Sequence, residues 1–382
     1  MAPKFLRVAY GMPAKRKTSA AGALAACVVA LAALAWPAGA SGARWLVKGH
    51  GWGHGVGMSQ YGAYGLAEHG RGYRRILHHY YAHTRIGSAG DQTIRVLLSS
   101  GSDSVGFRKA KRACGERLRR RHSYRFEESG SDVTLRGARG RRLANCGDTG
   151  TASGGGTIRI AGKGVYRGKL GATASGDHLL VINAVGLEGY TRGVVPNEMP
   201  SSWPRAALRA QAVAARSYVL ATATRGEFDV YDDVRSQVYG GKSSETKRTN
   251  RAAGRTRGKV VRYRKRIATT YFFSTSGGQT ESVQYGFPGA NPVGYLKSVR
   301  DPYDVASPFH RWRARYSQNE IESRLSGLFS GRLRKIKVLE RGDSARIVRA
   351  RVVGSRRSSR VSGPELAAQL GLRSTWARFL KR

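Results

Sequence analysis

The sequence predicts an α+β fold with a mixed, largely antiparallel β core, a few helices and an inserted β-rich subdomain. The first observation is a series of short runs of alternating polarity between Gly-rich turns, at residues 93–98, 124–126, 133–135, 157–160 and 165–170. The second is an Ala-rich stretch without Gly or Pro at residues 206–223. The third is a second set of runs of alternating polarity, at residues 335–340 and 345–353. Period-two runs indicate strands, and a long uninterrupted stretch indicates a helix.

The elements follow in order. Residues 44–87 form a Gly-rich segment that ends in a helix over 73–81, and residues 88–178 form the β-rich subdomain. Residues 179–300 form the core, with Ser202 as N-cap of the Ala-rich helix, which we expect to be mostly buried. We expect strands near 259–263 and 267–273. The C-terminal part of the core covers 301–382 and ends in a short helix over 363–370.

Charge limits the choice of partner. The 382-residue chain has 67 Lys and Arg against 24 Asp and Glu, a formal net charge of +43 and a pI near 11.2. Because 40% of the residues are hydrophobic, a core is expected and a disordered basic tail is excluded. Nucleic acid, an acidic membrane and an anionic cell-wall polymer all fit such a charge.

The N-terminus predicts export. Basic residues up to Lys17 precede an apolar run at 20–36, and residues 38–40 read Ala-Gly-Ala. These are the three parts of a signal peptide at residues 1–40, although the run also fits an uncleaved anchor. Its removal leaves a charge of about +38, because residues 1–40 hold five basic and no acidic residues. We therefore expect the protein at the outer face of the membrane or in the wall, where chromosomal DNA is not a partner.

Two of the three cysteines, Cys114 and Cys146, lie beyond the signal. In an oxidising compartment they predict a disulfide, with two separate buried thiols as the alternative.

Glu198 is the leading candidate for an acid. It lies between Pro196 and Pro200, among apolar neighbours, on what we expect to be a stiff loop at the entrance to the Ala-rich helix. Burial would raise the pKa of this carboxyl and a helix N-terminus would lower it, and the sequence leaves that balance open. The alternative role is to stabilise the helix end.

Further polar patches could hold an extended ligand. One is a Gly-rich loop with His54, Ser59 and Gln60, where the glycines exclude a metal-binding helix. The others contain Gln237 with Tyr239 and the turn at residues 274–278. That turn does not have the Gly-x-Ser-x-Gly pattern of serine hydrolases.

Several runs together resemble the SpoIID/LytB family. They are LEGYTRGVVPNEMP at 187–200, ALRAQAVAARSY at 207–218, QVYGG at 237–241, STSGG at 274–278, YLKSV at 295–299, GLRSTW at 371–376 and GWGHGVGMSQYGA at 51–63. The resemblance implies a peptidoglycan lytic transglycosylase that cleaves denuded glycan strands to 1,6-anhydro ends, with Glu198 as its acid. It also implies substrate-binding residues within the matching segments: His54, Ser59, Gln60, Arg216, Gln237, Tyr239, Ser274 and Ser276.

The sequence departs from the family pattern in two ways. The Gly-His-Gly block precedes the core instead of following it, so we predict a circular permutation in which residues 45–87 pack beside the segment that ends near Trp376. Some members bind zinc before the Gln-Val-Tyr-Gly-Gly motif, but residues 231–236 contain neither Cys nor His. We expect no metal and no cofactor.

Two other functions stay open. The first is a non-catalytic wall protein that stimulates a separate amidase, as the second half of the family name implies. The second is binding of extracellular nucleic acid or another polyanion, which only the charge favours. The leading hypothesis names glycan strands and anionic wall polymers as partners, with a wall amidase as a further candidate.

Overall fold

The computed structural model describes residues 44–382, so the predicted signal peptide lies outside the described residues. About 25% of the structure is helix and 40% is strand, and most strand pairs are antiparallel, which confirms the α+β class. No helix within residues 44–382 has both the length and the apolar character needed to cross a bilayer.

The elements in the first half of the described chain are β1 (Arg44–His50), β2 (Met58–Ser59), α1 (Gln60–Glu68), α2 (Tyr73–Tyr80), β3 (Arg85–Ser88), β4 (Thr93–Ser102), β5 (Ser104–Arg108), β6 (Arg112–Ala113), β7 (Glu116–Arg117), β8 (Ser123–Ser129), β9 (Asp132–Arg136), β10 (Arg142–Asn145), β11 (Thr149–Ile160), β12 (Gly164–Ser175) and β13 (His178–Gly186). The elements that follow are α3 (Leu187–Glu198), α4 (Arg205–Thr222), β14 (Val230–Tyr231), α5 (Lys247–Arg255), β15 (Lys259–Tyr263), β16 (Arg266–Ile267), β17 (Phe272–Phe273), α6 (Val283–Gly286), β18 (Arg311–Ser317), α7 (Gln318–Arg324), β19 (Phe329–Ser330), β20 (Leu333–Arg341), β21 (Ile347–Gly354), β22 (Arg357–Ser362), α8 (Gly363–Leu370) and β23 (Ala377–Lys381).

An eleven-stranded sheet forms the largest layer. Its main order is β10-β9-β8-β5-β11-β12-β13-β4-β14, and β14 joins β4 in parallel. All five strands predicted between residues 93 and 170 lie in this sheet. It continues beyond residue 178 into β13, which leads directly into α3. Cys114 and Cys146 form a disulfide within this layer, with their Cα atoms 5.3 Å apart.

A second core lies among the helices. Residues of α1, α2, α4 and α5 contribute to one buried apolar cluster, and the alanines of α4 lie at its centre. Alanine lets helix backbones approach closely, which explains how α4 contacts α1, α2, α3 and α5. The buried Ala-rich helix is thus where the sequence predicts it.

The two ends of the described chain meet in a three-stranded sheet. β1 pairs with both β18 and β23, in the order β18-β1-β23. The rings of His50 and Trp376 stack with centroids 4.7 Å apart. Residues 45–87 therefore do pack beside the segment that ends near Trp376, as the predicted permutation requires. A four-stranded sheet, β19-β22-β21-β20, completes the C-terminal part, and α8 coincides with the predicted helix over 363–370.

Three predictions about local structure are wrong. The predicted cap, Ser202, does not cap α4, which begins at Arg205 after Pro204 and has no side-chain cap. Glu198 lies at the C-terminal end of α3, with Pro196 inside that helix, and not on a loop at a helix entrance. The strand expected near 267–273 is divided into β16 and β17.

Helix α1 was missed by the sequence reasoning because it contains Gly62 and Gly65, which lower helix propensity. Packing requires both glycines. A Cβ at Gly62 would lie 2.0 Å from the Tyr80 hydroxyl, and one at Gly65 would lie 1.9 Å from the Tyr303 carbonyl oxygen. Ser59 caps the helix by accepting the Gly62 N–H at 3.0 Å.

Candidate functional site

Glu198 lies where three segments meet. It is the last residue of α3, and its Oε1 accepts the backbone N–H of Val238 at 2.9 Å. The side chain of Gln60, the first residue of α1, forms a second hydrogen bond to the carboxyl. The residue retains some solvent exposure, so a ligand can reach it.

Burial raises the pKa of the Glu198 carboxyl to about 7. The hydrogen bonds from Val238 and Gln60 act in the opposite direction, because they stabilise the charged form. The C-terminal end of α3 adds an unfavourable dipole for a negative charge there. Glu198 is therefore partly protonated at neutral pH and suited to donate a proton.

Two tyrosines lie close enough to Glu198 to feel its charge. Burial raises the pKa of Tyr190 and of Tyr218, and the Glu198 carboxylate raises both further. Both phenols thus stay protonated near neutral pH. Tyr218 keeps some exposure and lies beside Tyr271, with ring centroids 5.8 Å apart. The acid therefore lies in an aromatic, largely desolvated environment.

The Gly-rich block positions Gln60 through its backbone. Trp52 pairs with Thr275, Val56 with Glu281, and β2 with β17. Gly57 has φ +78°, and a Cβ there would lie 2.1 Å from the Tyr271 carbonyl oxygen. Only glycine fits this position. The glycines thus hold the block against residues 271–281, which places the start of α1 at Glu198.

Ser59 and Ser276 do not contact Glu198 in the structure. Both are fully buried, and both hydrogen-bond to Asp301, which also accepts the Tyr80 hydroxyl at 2.9 Å. Burial raises the pKa of Asp301 to about 6, and these hydrogen bonds oppose the shift. The two serines therefore join α1 to the 274–278 turn and do not face a ligand.

His54 is a neutral packing residue. Its Nδ1 accepts the Val56 N–H at 3.1 Å, so Nε2 carries the proton and donates to the Phe272 carbonyl at 3.2 Å. Burial lowers its pKa to about 4. The rings of Phe273 and Phe287 lie 5.4 and 5.0 Å from it. The ring keeps some exposure, and its contact with substrate stays a prediction.

The Gln237 and Tyr239 side chains also point into the protein. Gln237 Oε1 accepts the Tyr190 hydroxyl at 3.0 Å, and the Tyr239 hydroxyl donates to Asn183 at 2.7 Å. Both residues are nearly inaccessible, with exposures of 2% and 3%. They anchor the chain on either side of Val238. The motif therefore acts on Glu198 through a backbone N–H and not through these two side chains.

Among the predicted binding residues, Arg216 departs most clearly from its expected role. It is fully buried, and its guanidinium pairs with both carboxylate oxygens of Glu188 at 2.9 and 2.8 Å. The remaining donors reach Ala253, Thr256 and the Ala212 carbonyl. With its donors occupied inside the protein, Arg216 joins α4 to α3 and α5 and does not bind substrate.

Ser274 is half-buried. Its carbonyl accepts the Tyr61 N–H at 3.0 Å, and its hydroxyl lies 3.2 Å from that of Thr275. Of the eight predicted binding residues, Gln60 is the one that the described structure bonds to Glu198.

Sequence reasoning missed the Val238 N–H, Tyr218 and Asp301. A backbone donor leaves no signal in residue identity. Tyr218 ends one of the family-like runs, but its position on an Ala-rich helix that is expected to be mostly buried gave it no separate role. Asp301 follows another such run at 295–299, and because acids are scarce in this chain it could have been weighed as Glu198 was.

Residues 231–236 do not suit the zinc that some family members bind. They lack Cys and His. The Asp233 carboxylate accepts a hydrogen bond from Arg235, and Asp232 forms an ion pair with Lys163. Zinc prefers thiolate and imidazole ligands, so this stretch does not match that ion.

Comparisons with known proteins find relatives that match the segment around Glu198. The family described as "Stage II sporulation protein" matches residues 175–263, which include Glu198. An uncharacterized protein of Brachyspira hyodysenteriae is 37% identical over 165 residues, 42% of this chain and 44% of that protein. The stage II sporulation protein D of Bacillus amyloliquefaciens is 32% identical over 212 residues, 50% of this chain and 60% of that protein.

The amidase enhancer of Bacillus subtilis is 37% identical over 133 residues, 35% of this chain but 18% of that protein. The chain thus spans about half the length of the first two of these relatives and less of the third. Through residues 175–263, which hold α3, α4 and Glu198, the chain is similar to the SpoIID/LytB family, the family that its sequence runs resemble.

Proposed function

We propose that this protein is an exported lytic transglycosylase that cleaves denuded glycan strands of peptidoglycan, with Glu198 as the catalytic acid. The observation that carries the proposal is a carboxyl with a pKa near 7 in a desolvated but still reachable position. A general acid works best when its pKa lies near the working pH, and burial is the usual way to raise a carboxyl to that range.

The reaction needs one carboxyl. Glu198 donates its proton to the glycosidic oxygen as the bond from that oxygen to C1 of N-acetylmuramic acid breaks. C1 gains oxocarbenium character, the C6 hydroxyl oxygen bonds to it, and the hydroxyl proton returns to the Glu198 carboxylate. The products are a free sugar end and a 1,6-anhydro end. Because water is not a reactant, no second carboxylate has to activate it, unlike in paired-acid glycosidases.

The contacts of Glu198 agree with this scheme. Among the described residues, the groups bonded to its carboxyl are the Val238 N–H and the Gln60 side chain, neither of which is a base. Both can stabilise the carboxylate formed after the first proton transfer and hold it for the second. The names of two relatives, a sporulation protein and an amidase enhancer, support a role in the cell wall.

The test is incubation of the protein with purified denuded glycan strands and analysis of the products by mass spectrometry. We expect 1,6-anhydro ends from the wild type and a rate about 10²- to 10⁴-fold lower from Glu198→Gln, the usual contribution of a general acid. Glu116→Gln, which changes an exposed carboxylate on β7, is the matched control and should match the wild type. Equal activity of Glu198→Gln and wild type would overturn the proposal.

The similarity to the amidase enhancer of Bacillus subtilis favours a second candidate, a wall-bound protein that stimulates a separate amidase. It predicts faster amide hydrolysis by a purified wall amidase when this protein is added. Under this function Glu198→Gln stimulates as strongly as the wild type, and neither protein forms anhydro ends.

A further inference from the structure

Three aromatic side chains meet beside the candidate acid. The Trp203 ring packs on Tyr61 and Tyr64 of α1, with centroids 4.9 and 5.1 Å apart and ring planes at 67° and 55°. Rings that meet at such angles do not cover one another's faces as stacked rings do. All three residues keep some exposure. We call this cluster the aromatic platform.

The aromatic platform is connected to Glu198 by two segments of the chain. Tyr64 comes four residues after Gln60 on α1, so it lies on the same helix face about 6 Å further along the axis. The Gln60 side chain is bonded to the Glu198 carboxyl. Trp203 follows Glu198 after a tight turn, in which its N–H donates to the Pro200 carbonyl at 3.0 Å. The aromatic platform therefore adjoins the acid.

The loop that carries Trp203 is held at both ends. Met199, which directly follows the acid, is fully buried. Arg248 of α5 donates to the carbonyls of Ser202 and Trp203 at 3.2 and 2.9 Å. A ring on a fixed loop loses little conformational freedom when a ligand packs on it.

The polar atoms of the aromatic platform face solvent. Within residues 44–382, the Tyr61 hydroxyl, the Tyr64 hydroxyl and Trp203 Nε1 hydrogen-bond to no protein group, and none of these atoms is enclosed. Burial raises the pKa of Tyr61, and the neighbouring Tyr64 raises it further, so this phenol keeps its proton at neutral pH. Apolar faces with accessible polar edges suit a ligand that is itself amphipathic.

A sugar ring is such a ligand. One face of a pyranose consists mainly of C–H groups, and hydroxyl and amide groups project from its edge. The ring itself is uncharged, so the formal charge of +43 gives no means of recognising it. Aromatic faces and hydrogen-bonding groups do recognise it, because they match its apolar face and its polar edge.

Resting on the proposed function, we propose that Trp203, Tyr61 and Tyr64 bind a sugar ring of the glycan strand next to the two sugars whose bond Glu198 breaks. The indole packs against the C–H face of that ring, and the polar atoms of the aromatic platform bond to its substituents. The aromatic platform thus holds the strand so that the glycosidic oxygen reaches Glu198.

The test measures kcat and KM on purified denuded strands for Trp203→Ala and Trp203→Phe. The matched control is Tyr263→Ala, which removes a half-buried ring of β15 that packs on Tyr295 with centroids 4.9 Å apart, outside the aromatic platform. We expect KM to rise about two- to tenfold in Trp203→Ala with kcat within about twofold, because the lost contact is the same in substrate and transition state. Trp203→Phe keeps an aromatic face and should restore most of the affinity. Tyr263→Ala should match the wild type.

Tyr64→Leu removes a second ring without changing the loop, and it should raise KM in the same way even if Trp203→Ala does not fold. An unchanged KM would overturn the proposal. So would a lower kcat with a shifted pH profile of kcat, because the rings would then only position Gln60 at the acid.

If the wild type does not cleave the strands, the proposed function fails, and binding tests the aromatic platform separately. Calorimetric titration with denuded strands should then show weaker binding by Trp203→Ala than by Tyr263→Ala, and equal binding would reject the platform. Poly(glycerol phosphate), a polyanion without sugar rings, is the second titrant. All variants should bind it like the wild type, and a loss as large as that on the strands would overturn recognition of a sugar ring.

Discussion

At the scale of single residues, the environment of Glu198 could not be derived from its neighbours in the sequence. The two prolines correctly indicate a stiff position, but they also suggest a helix entrance. Since Pro196 lies inside the last turn of α3, Glu198 is at a helix end, where the dipole raises its pKa instead of lowering it. The main cause of the raised pKa, burial by α1 and the 237–241 segment, depends on contacts 40 or more residues away.

The raised pKa of Glu198 predicts a pH-dependent stability. In the folded protein the Glu198 carboxyl has a pKa of about 7 and loses its proton near that pH, whereas in the unfolded chain it loses the proton near the ordinary pKa of 4.5. Stability from this residue is therefore present below about pH 4.5 and is lost as the pH rises through about 7. Gln keeps the hydrogen bonds but carries no charge. Glu198→Gln should thus be more stable than the wild type by about 2–3 kcal/mol at pH 7.5 and nearly equal at pH 4.5.

Urea denaturation at the two pH values measures this difference, with Glu116→Gln as the control for an exposed carboxylate. A stability difference that is the same at pH 4.5 and 7.5 would show that the Glu198 carboxyl ionises normally. The measurement does not require substrate, so it tests the acid independently of the reaction.

At the scale of elements, the sequence pattern predicted five strands of the eleven-stranded sheet, helix α4 and helix α8. It failed where a long-range contact decides the structure. Helix α1 contains Gly62 and Gly65 because the Tyr80 hydroxyl and the Tyr303 carbonyl leave no room for a side chain, so tertiary packing outweighs the low helix propensity of glycine there. Arg216 of α4 is likewise fully buried although it is charged, because α3 supplies Glu188 as its partner. Sequence spacing on one helix gives no sign of a partner on another.

The Arg216–Glu188 pair predicts a large loss of stability when one partner is removed. Arg216→Gln leaves Glu188 buried without its cation, and breaking a buried pair in this way costs about 3–5 kcal/mol. Arg255→Gln, an exposed position on α5, should cost less than about 0.5 kcal/mol. Replacing both partners, in Glu188→Gln/Arg216→Met, should recover part of the loss, because no unpaired charge remains.

Urea denaturation gives these values, and kinetics on glycan strands separate the two roles considered for Arg216. If Arg216 is structural, Arg216→Lys, assayed where it is fully folded, keeps the wild-type KM. A raised KM with unchanged stability would instead show that Arg216 contacts the substrate.

At the scale of the whole molecule, the candidate site depends on which segments meet in space and not on their order in the chain. The β-rich subdomain separates the Gly-rich block from the core in the sequence, yet β1 lies between β18 and β23, and β2 pairs with β17. The family-like runs predicted that these segments meet. Their register, and therefore the contact of Gln60 with Glu198, depends on packing that no single run contains.

The charge of the molecule is arranged in a way that predicts binding of anionic wall polymers. On the C-terminal sheet, Lys337 faces Arg351, and Arg351 faces Arg360, across adjacent strands. All three are exposed, and within the described residues none is in an ion pair. Like charges directly opposite each other destabilise a sheet by roughly 0.2–1 kcal/mol per pair, so this row weakens the fold unless a polyanion covers it.

Lys337→Gln/Arg351→Gln/Arg360→Gln should therefore bind purified walls more weakly than the wild type while unfolding at an equal or higher urea concentration. Its binding should also depend less steeply on NaCl, because fewer counterions are displaced when fewer cations contact the polymer. The control, Arg119→Gln/Arg120→Gln/Arg121→Gln, removes the same charge from an exposed stretch of the β-rich layer and should bind more strongly than the sheet variant. Co-sedimentation with walls over a series of salt concentrations measures both properties. If the two triple variants lose binding equally, net charge alone holds the protein to the wall, and the row on the C-terminal sheet has no special part in it.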